Sequence, residues 1–577
     1  MPVHNADIAA VFEQIADLLE ISGDNPFRIR AYRNAARVIG GLGLDVAAAL
    51  GGGRGVPKLP GIGADLAGKL REIADTGSCK LLGELQRRVP AAITELLKIP
   101  GLGPKRVKQL HDALDVATVN DLRAAVREGR VRKLKGFGDK TEGRIRQALA
   151  HGGAGGGERM PLAVAAQYAE SLAGHLAKAR GVETVTVAGS YRRMRETVGD
   201  LDILVAGRGG GAVIERFCGY DEVKEVLARG KTRAAVVLKS GLQVDLRLVA
   251  PDSYGAALHY FTGSKAHNIA VRKLGQAKGL KINEYGVFRG AKRVAGDTEE
   301  SVFAAVGLPY IAPELREGSG ELDAGRRGKL PELIELADLK GDLHAHTKAS
   351  DGHNSIREMA EAARGRGLAY LAITDHSQRL KIAHGLDSRR LGAQLDEIDR
   401  INEGLKNFAI LKGAEVDILE DGSLDLPDAV LERLDLVIGA VHSAFALPRR
   451  KQTDRVLRAI DRRCFTVLAH PSARLIGARE PIDLDMARVI RAARARGCFL
   501  ELNAHPERLD LNDAHCRMAA EEGVLIALNS DAHSALDFDN LRFGIGQARR
   551  GWLEAKDVLN ARTLAQLKPL LARTMGG

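Results

Sequence analysis

The sequence predicts a multidomain chain with an all-helical N-terminal region, a mixed α+β middle region and a C-terminal α/β barrel. Three observations lead to this fold class. Residues 1–150 combine helical periodicity with Gly-x-Gly turns, residues 160–315 mix strands with helices, and residues 330–577 alternate short apolar strands with helices. At 577 residues the chain is also too long for one hydrophobic core.

The composition indicates a globular protein with a polyanionic partner. The chain is 45% hydrophobic and 28% charged, with a formal net charge of +11, and this balance favours nucleic acid over a merely solvated basic surface. No apolar run is long enough to cross a bilayer, and no signal peptide is evident, so we expect a cytoplasmic, nucleoid-associated protein without membrane contact. The five cysteines lack disulfide or metal-site spacing and are expected to be reduced.

Two segments are expected to separate the domains. HGGAGGGE (151–158) and REGSGELDAGRRGK (316–329) have the composition of flexible linkers. We therefore expect domains at residues 1–150, 158–316 and 339–577, with a linker at 317–338.

Three Gly-x-Gly turns, each followed by a helical pattern, lie in the first region. They are LPGIGADLAGKL (59–70), IPGLGPKRVKQL (99–110) and the looser LKGFGDKTEGRI (134–145). A glycine turn before a helix N-terminus directs backbone N–H groups at a phosphate, so the repeats predict helix-hairpin-helix contacts to the DNA backbone. The candidate DNA-binding residues are Gly61, Gly63, Gly101 and Gly103.

Lys69 lies in the helix after the first of these turns. One interpretation is a phosphate contact or a solvated helix face. The other is an amine nucleophile that forms a Schiff base with an abasic sugar, which requires a lowered pKa. Lys58 and Arg71 are the neighbours expected to lower the pKa of Lys69.

Two aspartates one residue apart open an apolar strand in GDLDILV (199–205). Side chains at i and i+2 of a strand share a face, so Asp200 and Asp202 converge although like charges repel. A neighbouring strand in LQVDLRLVA (242–250) supplies Asp245, which we expect to be buried. Three convergent carboxylates predict a catalytic site for two Mg²⁺ ions, or Mn²⁺, that activates a 3′-hydroxyl and stabilises a leaving pyrophosphate.

A Gly-Ser turn opens a helical pattern in GSYRR (189–193), just before these aspartates. With Arg192 and Arg193 behind it, the turn predicts a cradle for a nucleoside triphosphate. The alternative is a capping serine with solvated arginines.

Five motifs in order resemble those of the DNA polymerase beta-like family X: GSYRR, GDLDILV, VDLRL, YFTGSKAHN (260–268) and INEYGVF (282–288). The resemblance implies a nucleotidyltransferase palm with a thumb- or fingers-like subdomain, acting on gapped or primer–template DNA and dNTPs. It implies metal binding by the three aspartates and a template-side DNA contact by Arg272. It also implies nucleotide-binding roles for Gly189, Ser190, Arg193, Gly199, Tyr260, Phe261, Gly263, Lys265 and Asn268.

The same resemblance extends to the first region. Lys69 matches the family's lyase nucleophile and so implies 5′-deoxyribose-phosphate lyase activity. Two positions depart from the family pattern: Asp65 stands where polymerase beta has a lysine one helical turn earlier, and Met194 replaces a small glycine.

Histidine is concentrated in the third region, where ten of the 16 histidines lie. Apolar strands there run into histidines or carboxylates, first in LKGDLHAHTKASDG (339–352) and then in five later segments. Because strand C-termini of a parallel barrel face one site, these nine groups predict a centre of about three ions, and the nitrogen-rich set favours Zn²⁺ or Mn²⁺. The candidate ligands are His344, His346, Asp351, His376, Glu415, His442, His470, Asp531 and His533. His384, in KIAHGLD, is either structural or a substrate contact.

This spacing is similar to that of the polymerase-and-histidinol-phosphatase (PHP) domain, a distorted seven-stranded barrel that hydrolyses phosphate esters. Together the two resemblances imply a monomeric bacterial polymerase of base excision repair that fills short gaps. Its PHP domain would act as a 3′→5′ exonuclease, 3′-phosphatase or abasic-site endonuclease. Three alternatives remain open: an inert structural PHP domain, a phosphatase of small molecules, and a DNA-end-binding scaffold without activity.

Overall fold

The computed structural model divides the chain into two compact units. One comprises residues 1–159 and 239–242, and the other comprises residues 160–238 and 243–577. The structure describes residues 3–576 except for 41, 43–45, 47–49, 51–58, 60, 90–92, 94–95, 98, 100–101, 151–158 and 209, and except for the side chains of 140, 144, 147, 148 and 150. The predicted linker 151–158, Lys58 and Gly101 therefore lie outside the described residues.

The first unit is helical. Its described helices are Asn5–Ser22, Pro26–Gly40, Ala64–Thr76, Lys80–Arg88, Pro104–Leu114, Val119–Arg127 and Asp139–Ala150. Two of them begin directly at predicted glycine turns, because Gly63 caps Ala64–Thr76 and Gly103 caps Pro104–Leu114. Gly61 has a φ of +62°, a left-handed conformation that favours glycine.

A five-stranded sheet forms the first part of the second unit. Its strands are β2 (Val182–Val187), β4 (Asp200–Gly207), β5 (Val223–Arg229), β6 (Arg233–Leu238) and β7 (Gln243–Val249), in the spatial order β2-β4-β7-β6-β5. Strands β4 and β7 are parallel, and the other neighbouring pairs are antiparallel. Helices Leu162–Ala177 and Gly210–Cys218 belong to this part, and the short strands β1 (Met160–Pro161) and β3 (Thr197–Val198) pair separately.

A smaller subdomain follows the sheet. It contains helices Tyr254–Thr262, Lys265–Ala277 and Glu299–Val306 and an antiparallel sheet of β8 (Lys281–Asn283), β9 (Gly286–Arg289) and β10 (Lys292–Ala295). Its core includes Val271, Ile282 and Phe303, all buried.

The segment 316–329 is not the loose linker that its composition predicts. It contains the helix Glu321–Arg326, and the Arg316 side chain is fully buried and donates to Glu299 at 2.5 Å. The buried carboxylate of Glu321 lies 2.8 Å from Nδ1 of His267. A buried ion pair and a buried hydrogen bond therefore fix a glycine-rich stretch whose composition alone indicates a flexible chain.

Residues 341–529 form a parallel seven-stranded sheet in sequence order, and this nearly closed barrel is the predicted C-terminal fold. A bridge between Ala345 and Ala532 links its first and last strand ends. The strands are β11 (Gly341–Asp342), β12 (Tyr370–Ile373), β13 (Ala409–Asp417), β14 (Leu436–Ala440), β15 (Val467–Leu468), β16 (Phe499–Asn503) and β17 (Ile526–Asn529).

Helices separate the barrel strands along the chain. They are Ile356–Gly365, Ser388–Glu403, Asp428–Leu431, Arg449–Ile460, Met486–Arg496 and Asp513–Glu521, and two more helices, Leu541–Arg550 and Leu564–Thr574, follow the last strand. Alternate residues of one strand enter different cores: Tyr370 and Ala372 join one apolar cluster, whereas Leu371 and Ile373 join another. This alternation follows from the two-residue repeat of a strand.

All five cysteines are free, and all but Cys218 are buried. Among the described residues, no helix combines the length and the apolar character that crossing a membrane requires.

Candidate functional site

The parallel pairing of β4 and β7 places Asp202 directly opposite Asp245. Gln243, which lies opposite Asp200, donates to Asp245 at 2.8 Å. Because paired residues of neighbouring parallel strands share a face, the three aspartates project from one side of the sheet. Asp245 is half-buried rather than buried as expected, since Val244 and Leu246 on the opposite face supply the buried positions of β7.

The electrostatics of this face favour a cation. Burial, and then the carboxylates of Asp200 and Asp245, raise the pKa of Asp202 to about 7, although two nearby arginines oppose the shift. Crowded carboxylates that resist ionisation in this way are stabilised by a divalent ion, and hard oxygen ligands suit Mg²⁺ or Mn²⁺. The three aspartates therefore fit the ions that the sequence predicts.

The GSYRR turn lies against the same carboxylate. Gly189 has a φ of +63°, and a Cβ atom there would lie 2.4 Å from Oδ2 of Asp202. Only glycine fits this position without a shift, because both the conformation and the space exclude a side chain. The turn is also tied to β4, since the Ala188 N–H donates to the Asp202 carbonyl at 2.7 Å.

The two arginines of the turn have different surroundings. Arg193 donates to the Thr262 carbonyl at 2.6 Å and to Glu317 at 2.9 Å, which holds its guanidinium beside the predicted nucleotide site. Arg192 instead forms a bidentate pair with Glu299 at 3.0 and 2.7 Å. Arg192 therefore links the turn to Glu299 instead of contributing to the phosphate cradle that we predicted for both arginines.

Of the remaining predicted nucleotide-binding residues, Gly263 lies beside Arg193, since a Cβ atom there would be 3.2 Å from the Arg193 guanidinium. Tyr260 and Phe261 lie near the end of helix Tyr254–Thr262, with ring centroids 5.1 Å apart, and Asn268 donates to the Tyr260 carbonyl at 2.7 Å. Gly263 follows with a φ of +69°. Ser190 lies in the turn Gly189–Arg192, Gly199 lies between β3 and β4, and Lys265 and Arg272 are exposed on helix Lys265–Ala277.

The second candidate site lies at the C-terminal ends of the barrel strands. Eight of the nine predicted ligands fall into three overlapping groups whose ligand atoms lie within 4.8 Å of one another. The groups are His346, Asp351, His376 and His533; His344, His346 and Asp531; and His376, Glu415 and His442. Since His346 and His376 each belong to two groups, the geometry suits three neighbouring ions.

Glu415 occupies the middle of this cluster. Its carboxylate lies 2.7 Å from Nδ1 of His376 and 3.3 Å from Nε2 of His442. His470, the ninth predicted ligand, lies outside the three groups, but its Nε2 is 2.9 Å from Glu415. Asp531 lies 3.1 Å from Nε2 of His346.

Orphaned polar atoms test whether this cluster fits metal ions. Five of its buried side-chain atoms lack a partner in hydrogen-bonding geometry: His344 Nε2, His346 Nδ1, His376 Nδ1, Glu415 Oε2 and His470 Nδ1. His376 Nδ1 and Glu415 Oε2 lie 2.7 Å apart but are not aligned for a hydrogen bond with each other. Buried polar atoms are normally satisfied, so orphans concentrated in one cluster indicate a missing partner. Imidazole nitrogens with carboxylate oxygens are suitable ligands for Zn²⁺ and Mn²⁺.

The charges of the cluster are strongly coupled. Burial, and then the imidazoles of His533 and His376, lower the pKa of His346 to about 4. Burial also disfavours the protonated form of His533, but Asp351 outweighs it and raises the pKa of His533 to about 9. Burial raises the pKa of Glu415, but the surrounding histidines lower it well below its ordinary value. The Glu415 carboxylate thus remains ionised and available as a ligand.

Sequence reasoning missed the residues that orient the ligands. Glu501 lies 2.7 Å from Nδ1 of His344 and accepts the His470 backbone N–H at 2.7 Å. Asp417 lies 2.6 Å from Nδ1 of His442. Such carboxylates fix the tautomer and direction of a ligating imidazole. The signal was present at the end of β16, where Glu501 and Asn503 repeat the i, i+2 spacing of His344 and His346.

Lys69 lies in a different environment from the one predicted. Burial lowers its pKa, but a hydrogen bond from its ammonium to Asp65, together with Tyr32, outweighs this and raises the pKa above its ordinary value. The expectation of a lowered pKa is therefore wrong, because the residue one helical turn earlier is an acid. The lyase role itself stays a prediction.

Four segments match known domain families. Residues 3–79 match the helix-hairpin-helix domain, residues 93–150 the SAM-like helix-hairpin-helix tandem, residues 257–317 the DNA polymerase beta thumb and residues 342–505 the PHP domain.

Several relatives resemble the chain over different lengths. The DNA polymerase/3′-5′ exonuclease PolX of Bacillus subtilis (strain 168) is 40% identical over 575 residues, which are 99% of this chain and 100% of that protein. A probable phosphatase of Acetivibrio thermocellus is 32% identical over 206 residues, 34% of this chain and 80% of that protein. One from Thermoanaerobacter sp. (strain X514) is 30% identical over 231 residues, 38% of this chain and 89% of that protein.

Proposed function

Because this chain belongs to the bacterial family X DNA polymerases with a C-terminal PHP domain, we propose that it fills short gaps in DNA and hydrolyses 3′ ends at two separate centres. The observation that carries this proposal is that residues 160–577 hold two distinct sets of convergent ligands, one on the five-stranded sheet and one at the barrel mouth. A repair polymerase that trims its own 3′ ends needs one centre for synthesis and a second centre for hydrolysis.

The sheet centre would extend the primer. Asp200, Asp202 and Asp245 would hold Mg²⁺ or Mn²⁺, which when bound supply charge stabilisation for transfer of a nucleotidyl group. The backbone turn at Gly189 and the guanidinium of Arg193 would receive the triphosphate. The aromatic pair at residues 260–261, with Gly263 beside it, would border the sugar and disfavour a 2′-hydroxyl.

The barrel centre would hydrolyse the 3′-terminal phosphodiester. The nine His, Asp and Glu groups would hold Zn²⁺ or Mn²⁺, which supply Lewis acidity when bound. Glu501 and Asp417 would hold the rings of His344 and His442 in their ligating orientation. Arg508, whose Nε is 3.7 Å from Asp531, would supply positive charge beside the cleaved phosphate.

The helix-hairpin-helix turns at Gly61–Gly63 and around Gly103 would bind the DNA backbone without reading its sequence. We also propose that the protein acts in base excision repair and that it is a monomer. Lyase activity is supported by the resemblance alone, since Asp65 holds Lys69 in its protonated form.

The test is one gel together with a phosphate-release assay on histidinol phosphate. The purified chain is incubated with Mn²⁺ and a 5′-labelled primer on a gapped template, with and without dNTPs. We expect extension with dNTPs and stepwise shortening without them. Extension without shortening would favour an inert PHP domain, hydrolysis of a histidinol-type phosphate but of no DNA end would favour a small-molecule phosphatase, and DNA binding without either reaction would favour a scaffold.

A further inference from the structure

One loop beside the barrel centre combines an exposed apolar side chain with a cationic cavity. Ile382 is 90% exposed, more than any other large hydrophobic side chain of the described residues. It lies in the turn Lys381–Ala383, within a loop at residues 377–386 that follows the candidate ligand His376. Single exposed apolar residues are common and need no functional explanation, so a role for Ile382 has to be argued from its surroundings.

The loop begins and ends at the candidate metal centre. The Leu386 N–H donates to the His376 carbonyl at 2.7 Å, and the Ser377 N–H donates to the Glu415 carbonyl at 2.9 Å. A Cβ atom on Gly385 would lie 1.9 Å from the Ser377 carbonyl oxygen, so the two ends of the loop touch. The position of Ile382 is therefore fixed relative to the two ligands.

Arg390 braces the same loop. Its guanidinium donates to the carbonyls of His384 at 2.7 Å and Gly385 at 3.1 Å, and to the Ala349 carbonyl at 2.5 Å. Ala383 is buried beneath the turn while Ile382 points to solvent. The loop is a braced projection, and the exposure of Ile382 follows from this geometry.

An open cavity of about 570 Å³ lies beside the loop. Its lining includes Lys348, Lys381, His384 and Arg390 and contains no Asp or Glu. The lining is therefore cationic, although Lys348 is also near enough to Glu358 for its charge to help lower the pKa of that carboxyl. A cationic, acid-free cavity complements a phosphodiester backbone.

The cavity wall and the candidate metal centre share a chain segment. Ser350, on its wall, precedes the candidate ligand Asp351 and donates to Asp375 at 2.5 Å. Several of the candidate ligands are deeply placed, with His344 fully buried and Glu415 only 1% exposed, below the partly exposed Asp351. A 3′-terminal nucleotide that remains stacked in a duplex cannot reach groups at that depth, so it must leave its partner first.

We propose that the 377–386 loop separates the terminal base pair of a duplex: Ile382 packs against the exposed pair, while Lys348 and Lys381 hold phosphates of the strand whose 3′ end enters the barrel centre. Apolar side chains of this kind unstack bases in other DNA-binding proteins. This inference rests on the proposed 3′-end hydrolysis and adds a preference: the loop is needed for paired ends and dispensable for frayed ones.

The test uses the full chain with Mn²⁺ and four substrates: a duplex with a paired 3′ end, the same duplex with a 3′-terminal mismatch, a single strand, and bis(p-nitrophenyl) phosphate. We expect Ile382→Ser to slow hydrolysis of the paired end by about tenfold, because the variant loses the apolar contact that separates the strands. The other three substrates should be hydrolysed at the wild-type rate. Leu336→Ser is the matched control, because Leu336 is 51% exposed and does not line the cavity.

Two binding measurements accompany the rates. A 2-aminopurine at the 3′ terminus, behind a phosphorothioate linkage that resists hydrolysis, should brighten on binding to wild type and less on binding to Ile382→Ser. The double variant Lys348→Gln, Lys381→Gln should release roughly one to two fewer counterions when it binds a single strand. The plot of log affinity against log salt should therefore be correspondingly less steep.

Four results would overturn the inference. Equal rates of Ile382→Ser and Leu336→Ser on the paired end would remove the separating role. Loss of bis(p-nitrophenyl) phosphate hydrolysis in Ile382→Ser would make the residue structural. An unchanged salt slope in the lysine variant would place the DNA strand elsewhere and leave the cavity to a protein partner. A wild-type chain that hydrolyses no 3′ end would refute the proposed function, and this inference with it.

Discussion

The side chain of Met194 fills the space beside Gly546: a Cβ atom added to that glycine would lie 2.3 Å from the Met194 Cε and 3.0 Å from its Cβ. Met194 has a φ of +53°, in the left-handed region, and it follows the turn that carries Arg193. Gly546 lies in the barrel helix Leu541–Arg550. In the same place, Arg550 donates to the Arg193 carbonyl and to Glu317, each at 2.9 Å.

We expect Gly546→Ala to destabilise the second unit, because the new methyl group overlaps Met194. Overpacking of this kind costs about 1–3 kcal/mol. In a Met194→Gly background the same change should cost much less, since neither Met194 Cβ nor its thioether remains. Urea unfolding of the four chains measures this coupling. Additive effects of the two substitutions would show that the contact contributes nothing to stability.

Asp202→Asn should reduce primer extension by at least about 100-fold while primer shortening continues. The substitution removes one charged ligand from the sheet centre, and the barrel ligands stay intact. A labelled primer on a gapped template, with and without dNTPs, reports both reactions. Gln243→Asn is the control, because it changes a side chain that donates to Asp245 and leaves all three carboxylates in place. Near wild-type extension by Asp202→Asn would remove this residue from the catalytic site.

His344→Ala combined with His346→Ala should abolish 3′-end hydrolysis and leave extension intact, so that apparent synthesis rises. Both imidazoles are fully buried, and their loss removes one partner each from Glu501 and Asp531, so the variant must first show a cooperative melt. Asp351→Asn tests the same centre with a smaller change, since its side chain is 33% exposed. Persistent 3′-end hydrolysis in folded variants would exclude the histidine cluster as the nuclease.

Glu317 should make a stabilising contribution that depends on pH. Burial raises its pKa, but Arg193 and Arg550 outweigh burial and lower the pKa below its ordinary value of 4.5. A carboxyl with a depressed folded pKa contributes stability that is complete above the unfolded pKa and is lost as the pH falls through the folded pKa. Glu317→Gln should therefore be less stable than wild type near neutral pH.

That difference should begin to shrink about one pH unit above the ordinary pKa and disappear as the pH falls through the depressed folded pKa, because wild-type Glu317 becomes protonated like its neutral replacement. Urea unfolding of both chains across this range gives the measurement. Acid effects on the histidine cluster are common to both chains and cancel in the comparison. A difference that stays constant would show that the Glu317 charge does not stabilise the fold.

Asp65→Asn should increase borohydride trapping on DNA with a 5′-deoxyribose phosphate, if Lys69 is the lyase nucleophile. The substitution removes the carboxylate that raises the Lys69 pKa, so more neutral amine is present at a given pH. Lys69→Ala should trap nothing in either background. Equal trapping with and without Lys69 would assign the reaction to another lysine, or to none.

The sequence alone determined the elements whose signal is local. Asp200 and Asp202 share a strand face because of the two-residue repeat, and a helix follows each described glycine turn because glycine adopts the conformations such turns require. The convergence of the nine barrel groups was predictable because parallel strands bring their C-terminal ends to one site whatever the loops between them. Local pattern and chain topology together were sufficient for both candidate centres.

Tertiary structure alone decided which charges are paired with which. Arg192 and Arg193 are adjacent and chemically alike, yet the first is held by Glu299 and the second by Glu317 and Thr262. Asp65, one helical turn from Lys69, raises the pKa of that lysine. The glycine-rich segment 316–329 is held in place by the buried side chains of Arg316 and Glu321. Ion pairs and burial depend on distances between residues far apart in the chain, and composition contains no such distances.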